Sequence, residues 1–238
     1  MNISFISPFC SLLEKFTSIS MLNRASEKGV VQYNFFNLFS FSDDPNARID
    51  DSPYGGGDGM ILKAQPIYSA YEKATKKVSS KARVIYPTPD GEMLSTAIAK
   101  DLAIENNLIF ICGHYKGIDQ RIRDDIITDE ISIGDYILTG GELPACVIAD
   151  SIVRLIPGVL NSIESAKTDS FYDGLLDSPH YTRPEEYNGL KVPDVLISGN
   201  HKKIEEWFLK EREKKTKKRR IDLWKKYRSF NNDGVENG

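Results

Sequence analysis

The chain has 238 residues, of which 40% are hydrophobic, and a formal net charge of −3; this is enough chain for one large domain, or a domain with an appendage, around a real core. No apolar run approaches the roughly 18 residues that would cross a bilayer, and the first residues lack a basic region ahead of an apolar block, so a cytoplasmic protein without a membrane role is expected. Cys10, Cys112 and Cys146 are odd in number, far apart and in apolar surroundings, which reads as core packing and suggests neither a disulfide framework nor a metal site.

In chain order, short runs bounded by Pro, Gly or Asp predict strands at Ile3–Ile6, Phe35–Leu38, Val84–Tyr86, Leu108–Cys112 and Glu130–Ile133. Helix-length segments lie between and after them, at Ser11–Lys28, Gln65–Val78, Met93–Asn106, Asp119–Ile127 and Leu143–Ile156, the last closed by Pro157-Gly158. This alternation predicts an α/β fold with a parallel sheet and helices on both faces. After Gly158 the texture changes. Asn161–Phe171 is polar and without periodicity, and reads as a linker that is disordered or folds over a ligand. Ser198-Gly199-Asn200 offers turn and capping chemistry just before a basic helix over Lys202–Lys215, and a second basic helix is predicted over Lys217–Tyr227, with Asn231–Gly238 frayed.

Charge is unevenly placed. Residues 202–228 hold 13 Lys or Arg against 5 Asp or Glu, which leaves the rest of the chain at −11. A basic tail on an acidic body is either a solvated helix face or the footprint of a nucleic-acid partner, since contacts to phosphate release counterions.

Ligand sites in open α/β sheets lie beyond the carboxyl ends of strands. Three such ends carry unusual turns: Tyr86-Pro87-Thr88-Pro89-Asp90-Gly91, Cys112-Gly113-His114-Tyr115-Lys116-Gly117 and Gly134–Gly141. Three glycine-bearing loops converging at one edge suit a nucleoside. The adjacent Gly140 and Gly141 are expected to take positive φ and let the main chain approach that ligand closely. A fourth glycine loop, Pro53–Met60, is read as separate; it has no preceding strand and no Lys-Ser/Thr, so it is neither a dinucleotide fingerprint nor a P-loop.

Five stretches carry a resemblance: PYGGGDGM (53–60), CGHYKGIDQRI (112–122), EISIGDYILTGGELPACVIADSIVRLIPGVL (130–160), DSFYDGLLDSPHYTRPEEY (169–187) and VPDVLISGNHKKIEEW (192–207). They cover most of the chain, and the chain resembles the bacterial tRNA (guanine-N1-)-methyltransferase family, TrmD, of the knotted SPOUT class. The resemblance implies transfer of methyl from S-adenosylmethionine to N1 of guanosine 37 in tRNA, with the donor held in a deep trefoil knot. It also implies a homodimer in which the C-terminal domain of one subunit helps hold RNA on the other, with no role for DNA. Residues 1–160 would be the knotted donor domain, 161–174 a linker ordered on tRNA binding, and 175–238 a small basic helical tRNA-binding domain. Two other readings stay open: a SPOUT enzyme acting at another RNA position, and an RNA-binding homologue without chemistry.

Carried over motif by motif, the donor-binding positions fall on Tyr86, Pro87, Thr88, Gly113, Tyr115, Ser132, Ile133, Gly134, Asp135, Tyr136, Ile137, Leu138, Gly140, Gly141 and Pro144. The resemblance implies Asp169 as the base that takes the N1 proton and Arg154 as the group that stabilises charge on O6; by local sequence alone these read as a turn aspartate and a helix ion pair with Asp150. No metal ligand is assigned, and magnesium is left open as a cofactor. Two loops depart from the family. The first has Pro-Thr-Pro-Asp-Gly where Ser-Pro-Gln-Gly is usual, and the second has His114-Tyr115-Lys116 where Arg-Tyr-Glu is usual, so that a cation replaces an acid.

Overall fold

The computed structural model describes residues 1–77, 81–160 and 169–232, so the expected linker at 161–168, the predicted helix end at Val78 and the chain end 233–238 lie outside the described residues. The chain divides into two units, Met1–Asn161 and Ser162–Gly238. Among the described residues no helix is long and apolar enough to cross a membrane.

The first unit begins with β1 (Asn2–Ser7), α1 (Cys10–Thr17), α2 (Ser20–Glu27) and β2 (Gln32–Asn37). Sequence periodicity predicted one helix where α1 and α2 stand. Thr17 ends the first: its buried hydroxyl donates back to the carbonyls of Leu13 and Glu14, at 2.9 and 3.2 Å, and Ser20 then turns the chain with φ 53°. A two-stranded antiparallel ribbon, β3 (Asp50–Asp51) and β4 (Ile61–Leu62), follows and carries the Pro53–Met60 loop. Then come α3 (Ala64–Thr75), β5 (Arg83–Met93), α4 (Thr96–Ala103), β6 (Asn107–Ile111), α5 (Gln120–Asp125), β7 (Asp129–Ser132) and α6 (Glu142–Val153). The helix predicted from Met93 starts later because Met93 completes a strand; Ser95 caps α4 by accepting from the Ile98 N–H at 3.3 Å.

The sheet runs β2-β1-β6-β5-β7 with all pairs parallel, as the βα alternation predicts. The inner strands β1 and β6 are buried on both faces, which is why they read as near-continuous apolar runs. On one face Phe5 stacks with Phe35 and Phe110, ring centres 5.8 and 5.2 Å apart, beneath the apolar residues of α1, α2, α4 and α6. On the other, Ile6, Ile109, Ile111 and Val84 pack against α3 and α5. Burying such side chains contributes about 1.5–3 kcal/mol each, so the sheet is a rigid platform for the loops at its carboxyl edge.

The second unit holds a small ribbon, β8 (Glu186–Tyr187) and β9 (Leu190–Lys191), joined by Asn188-Gly189; both have positive φ, 52° and 77°, as a two-residue primed turn requires. Three helices follow: α7 (Asp194–Ile197), α8 (His201–Arg219) and α9 (Ile221–Asn232). Asn200 caps α8, its side-chain oxygen accepting from the Lys203 N–H at 3.2 Å. The segment before them packs onto α8. Leu175 is buried, the Leu176 N–H donates to the buried Thr216 hydroxyl at 2.8 Å, and Lys215 Nζ donates to the Asp177 carbonyl at 2.8 Å.

Candidate active site

β5, β6 and β7 are adjacent in the sheet, so the loops that leave their carboxyl ends must meet. They do so around a cleft of about 790 Å³, within the range of about 300–1,000 Å³ common for small-molecule sites. The second and third loops are tied directly: the Gly141 N–H donates to the Gly113 carbonyl at 2.8 Å, and His114 and Gly140 form an isolated antiparallel bridge. The first loop is pinned by a cation. Arg123, from α5, reaches Glu130 on β7 and Asp90 at 2.5 and 2.8 Å, with its guanidinium 5.5 Å from the Tyr86 ring centre. Hydrogen bonds from Thr88 and Arg123 hold the Asp90 carboxyl below the usual range.

Every position expected to hold the donor lines this cleft except Asp135. At Gly134 φ is 148°, and the Tyr136 ring folds back with its hydroxyl donating to the Ile133 carbonyl at 3.3 Å, leaving Asp135 exposed. The glycine pair plays a different part from the one expected. Neither Gly140 nor Gly141 has positive φ, and a Cβ on Gly141 would meet Gly113 N at 2.8 Å and Cys112 Cα at 3.0 Å. What needs the missing side chain there is the backbone of the neighbouring loop.

The Pro53–Met60 loop is also joined to the site and is not separate from it. The Lys116 N–H donates to the Met60 carbonyl at 3.0 Å, the Leu62 N–H to the Gly117 carbonyl at 3.1 Å, and Gly59 and Met60 line the cleft. Sequence reasoning put Asp90 in a site turn without giving it a role, and missed Arg123 as a lining residue, because a charge on a short helix reads as solvated.

Beneath the cleft Glu142, at the first turn of α6, is only 5% exposed and accepts from the Ser7 hydroxyl at 2.7 Å, fastening the third loop to the end of β1. Burial pushes all three thiols up, Cys10 to about 11, Cys146 to about 12 and Cys112 well above its ordinary value, as packing groups rather than nucleophiles. Among the described residues no three His, Cys, Asp or Glu side chains are arranged to hold a metal ion.

Of the two expected catalytic residues, Arg154 belongs to the first unit, where it is the half-buried C-cap of α6 and does not line the cleft; Asp169 belongs to the second unit and is half-buried there.

The walls of the cleft suit a nucleoside: Tyr86, Pro87, Pro89, Ile133, Leu138 and Pro144 offer apolar surface, interrupted by main-chain groups of the three loops. Comparison with known proteins agrees with a nucleic-acid enzyme. The model of the family described as tRNA (Guanine-1)-methyltransferase TrmD matches residues 1–226. A Bacillus pumilus protein named tRNA (guanine-N(1)-)-methyltransferase is 54% identical over 223 residues, 94% of this chain and 91% of that protein. Proteins of the same name from Bacillus subtilis and Clostridioides difficile are 52% and 49% identical, over 94% and 95% of this chain and 93% and 98% of theirs. With the match running through both units, the chain belongs to the tRNA (guanine-1)-methyltransferase TrmD family.

Proposed function

We propose that this chain is an enzyme that methylates N1 of guanosine 37 in tRNA, next to the anticodon, using S-adenosylmethionine. The observation that carries the proposal is the cleft at the carboxyl edge of β5, β6 and β7, sized and walled for a nucleoside, in a chain that the family model matches over residues 1–226. The donor supplies an electrophilic methyl group on a sulfonium, and leaves as a thioether. Tyr86, Pro87, Ile133, Leu138 and Pro144 would hold its adenosine, with the Ser132–Gly134 and Gly140–Gly141 main chain as the polar edge.

The protein's remaining task is acid–base. Guanine N1 carries a proton that must leave as the N1–methyl bond forms, and its loss puts negative charge on O6. Asp169 takes that proton in this reading. Arg154 faces the O6 charge, a guanidinium being permanently protonated with fixed donors. An adenine offers neither an N1 proton nor an O6, so the pair also selects the base. The basic helices α8 and α9 hold the RNA backbone in this reading. We further read the path of the chain through the three loops as a trefoil knot, the working form as a homodimer, and the setting as the cytoplasm.

The test is methylation in vitro of a tRNA transcript with G37 against the same transcript with A37. Label transferred to N1 of G37 alone supports the proposal. Transfer to another position would make the chain a related enzyme with a different target, and absence of saturable donor binding would make it an RNA-binding homologue without chemistry.

A further inference from the structure

Three side chains of the acidic and basic types line the cleft: Asp90, Arg123 and Lys116. Asp90 and Arg123 answer one another at 2.8 Å, and Arg123 is bound again by Glu130. The Lys116 ammonium, unlike the other two groups, makes no ion pair among the described residues.

That ammonium has a prepared bed. The Lys116 N–H is fixed to the Met60 carbonyl at 3.0 Å, and its stem lies along Gly59, where a Cβ would stand 2.9 Å from Lys116 Cγ and 3.2 Å from its Cε. Gly59 itself has φ +100°, a conformation that further favours glycine there. The side chain is therefore laid across the base of the Pro53–Met60 loop with its reach limited, which lowers the entropy cost of using it as a contact.

A lone ammonium in a cleft that takes a sulfonium is unfavourable unless it faces the ligand's anionic part, since like charges repel at short range. S-adenosylmethionine has one such part, the α-carboxylate of its amino-acid end. We infer that Lys116 is a donor-specificity residue that receives this carboxylate, distinguishing the complete donor from nucleoside thioethers that lack the amino acid. The inference rests on the donor proposed above.

The experiment is titration calorimetry on the full chain with two probes, S-adenosylhomocysteine, which keeps the carboxylate, and 5′-methylthioadenosine, which lacks it. Lys116→Met keeps the stem over Gly59 and removes only the charge. It is expected to weaken S-adenosylhomocysteine about tenfold, roughly 1.4 kcal/mol, and to leave 5′-methylthioadenosine unchanged, while Lys116→Arg restores the preference. Equal weakening of both probes would make Lys116 a packing residue of the loop. No change in either, with weaker tRNA binding, would assign the ammonium to RNA phosphate; both results overturn the inference while leaving the donor proposal standing. Wild-type protein binding neither probe would overturn both.

Discussion

Gly141→Ala is the sharpest test of how the cleft is built. A Cβ at this position would lie 2.8 Å from Gly113 N, 3.0 Å from Cys112 Cα and 3.2 Å from Cys112 C, all backbone atoms of a loop that Gly141 itself bonds through its N–H. Ordinary contact begins at 3.4 Å, so the loops must part by roughly 0.6 Å, and no flexible side chain is present to absorb the shift. Overpacking of this kind costs about 1–3 kcal/mol. At about 2–4 °C per kcal/mol for a domain of this size, the middle of that range lowers Tm by about 4–8 °C. Donor affinity falls with it, because both displaced loops line the cleft. Gly140→Ala is not milder: its Cβ would crowd Oε2 of Glu142, which is buried and tied to Ser7, and stand 2.6 Å from the His114 ring, so a comparable loss is expected. Thermal denaturation and calorimetry with S-adenosylhomocysteine read both effects. A Gly141→Ala protein that melts with wild type and binds the ligand equally would refute the close-packed reading of the two loops.

Asp169→Asn keeps shape and hydrogen bonding but removes basicity; single-turnover methylation should fall by at least about 10²-fold with donor binding little changed, and a near wild-type rate would move the role elsewhere. Lys210 and Lys217 are exposed one heptad apart on the same face of α8. Changing both to Gln should weaken tRNA binding and lower its salt slope by about two, whereas an unchanged slope would make this a solvated face. Deleting α8 would be a poorer experiment, since Leu176 would lose its Thr216 partner. Burial works against the charge of Asp129, yet hydrogen bonds from Arg83 and Thr128 prevail and hold its carboxyl below the ordinary value. The stability this contributes is complete above the unfolded value of about 3.9 and is lost as the pH falls below it. Wild type and Asp129→Asn should therefore differ at neutral pH and converge as the pH falls below about 4; denaturation curves that keep a constant separation would show that the pair is not the cause.

The central strands were legible because burial on both faces leaves a run of apolar residues that no loop would tolerate, as in Leu108–Ile111. Boundaries were legible only where local chemistry marks them. Thr17 and Ser20 break a helix without Gly or Pro, using a back-bonded hydroxyl and one left-handed residue, and no periodicity reports that. The three site loops could be placed at strand ends by rule, but which loop leans on which could not. The contact of Gly141 with Cys112 and Gly113, the seat of Lys116 on Gly59, and the closing of the first loop by Arg123 all join residues far apart in sequence. Each depends on how the loops cross above the sheet. Motif resemblance supplied the residue identities, while the reason for each glycine came from the coordinates.

The first loop has an unusual attachment. β5 follows β7 through Tyr86 and Pro87, departs, and returns so that Pro87 and Glu92 share one partner, Ile131, before Met93 resumes the pairing with Ser132. Departure and return are anchored at the same rung. The number of residues between them is thus decoupled from the alignment of everything beyond, and lengthening a flexible loop is cheap, about 0.6 kcal/mol for each doubling. Changes at 88–91 can then reshape one wall of the cleft without sliding a strand. The scaffold tolerates experiment in a loop that walls its ligand cleft.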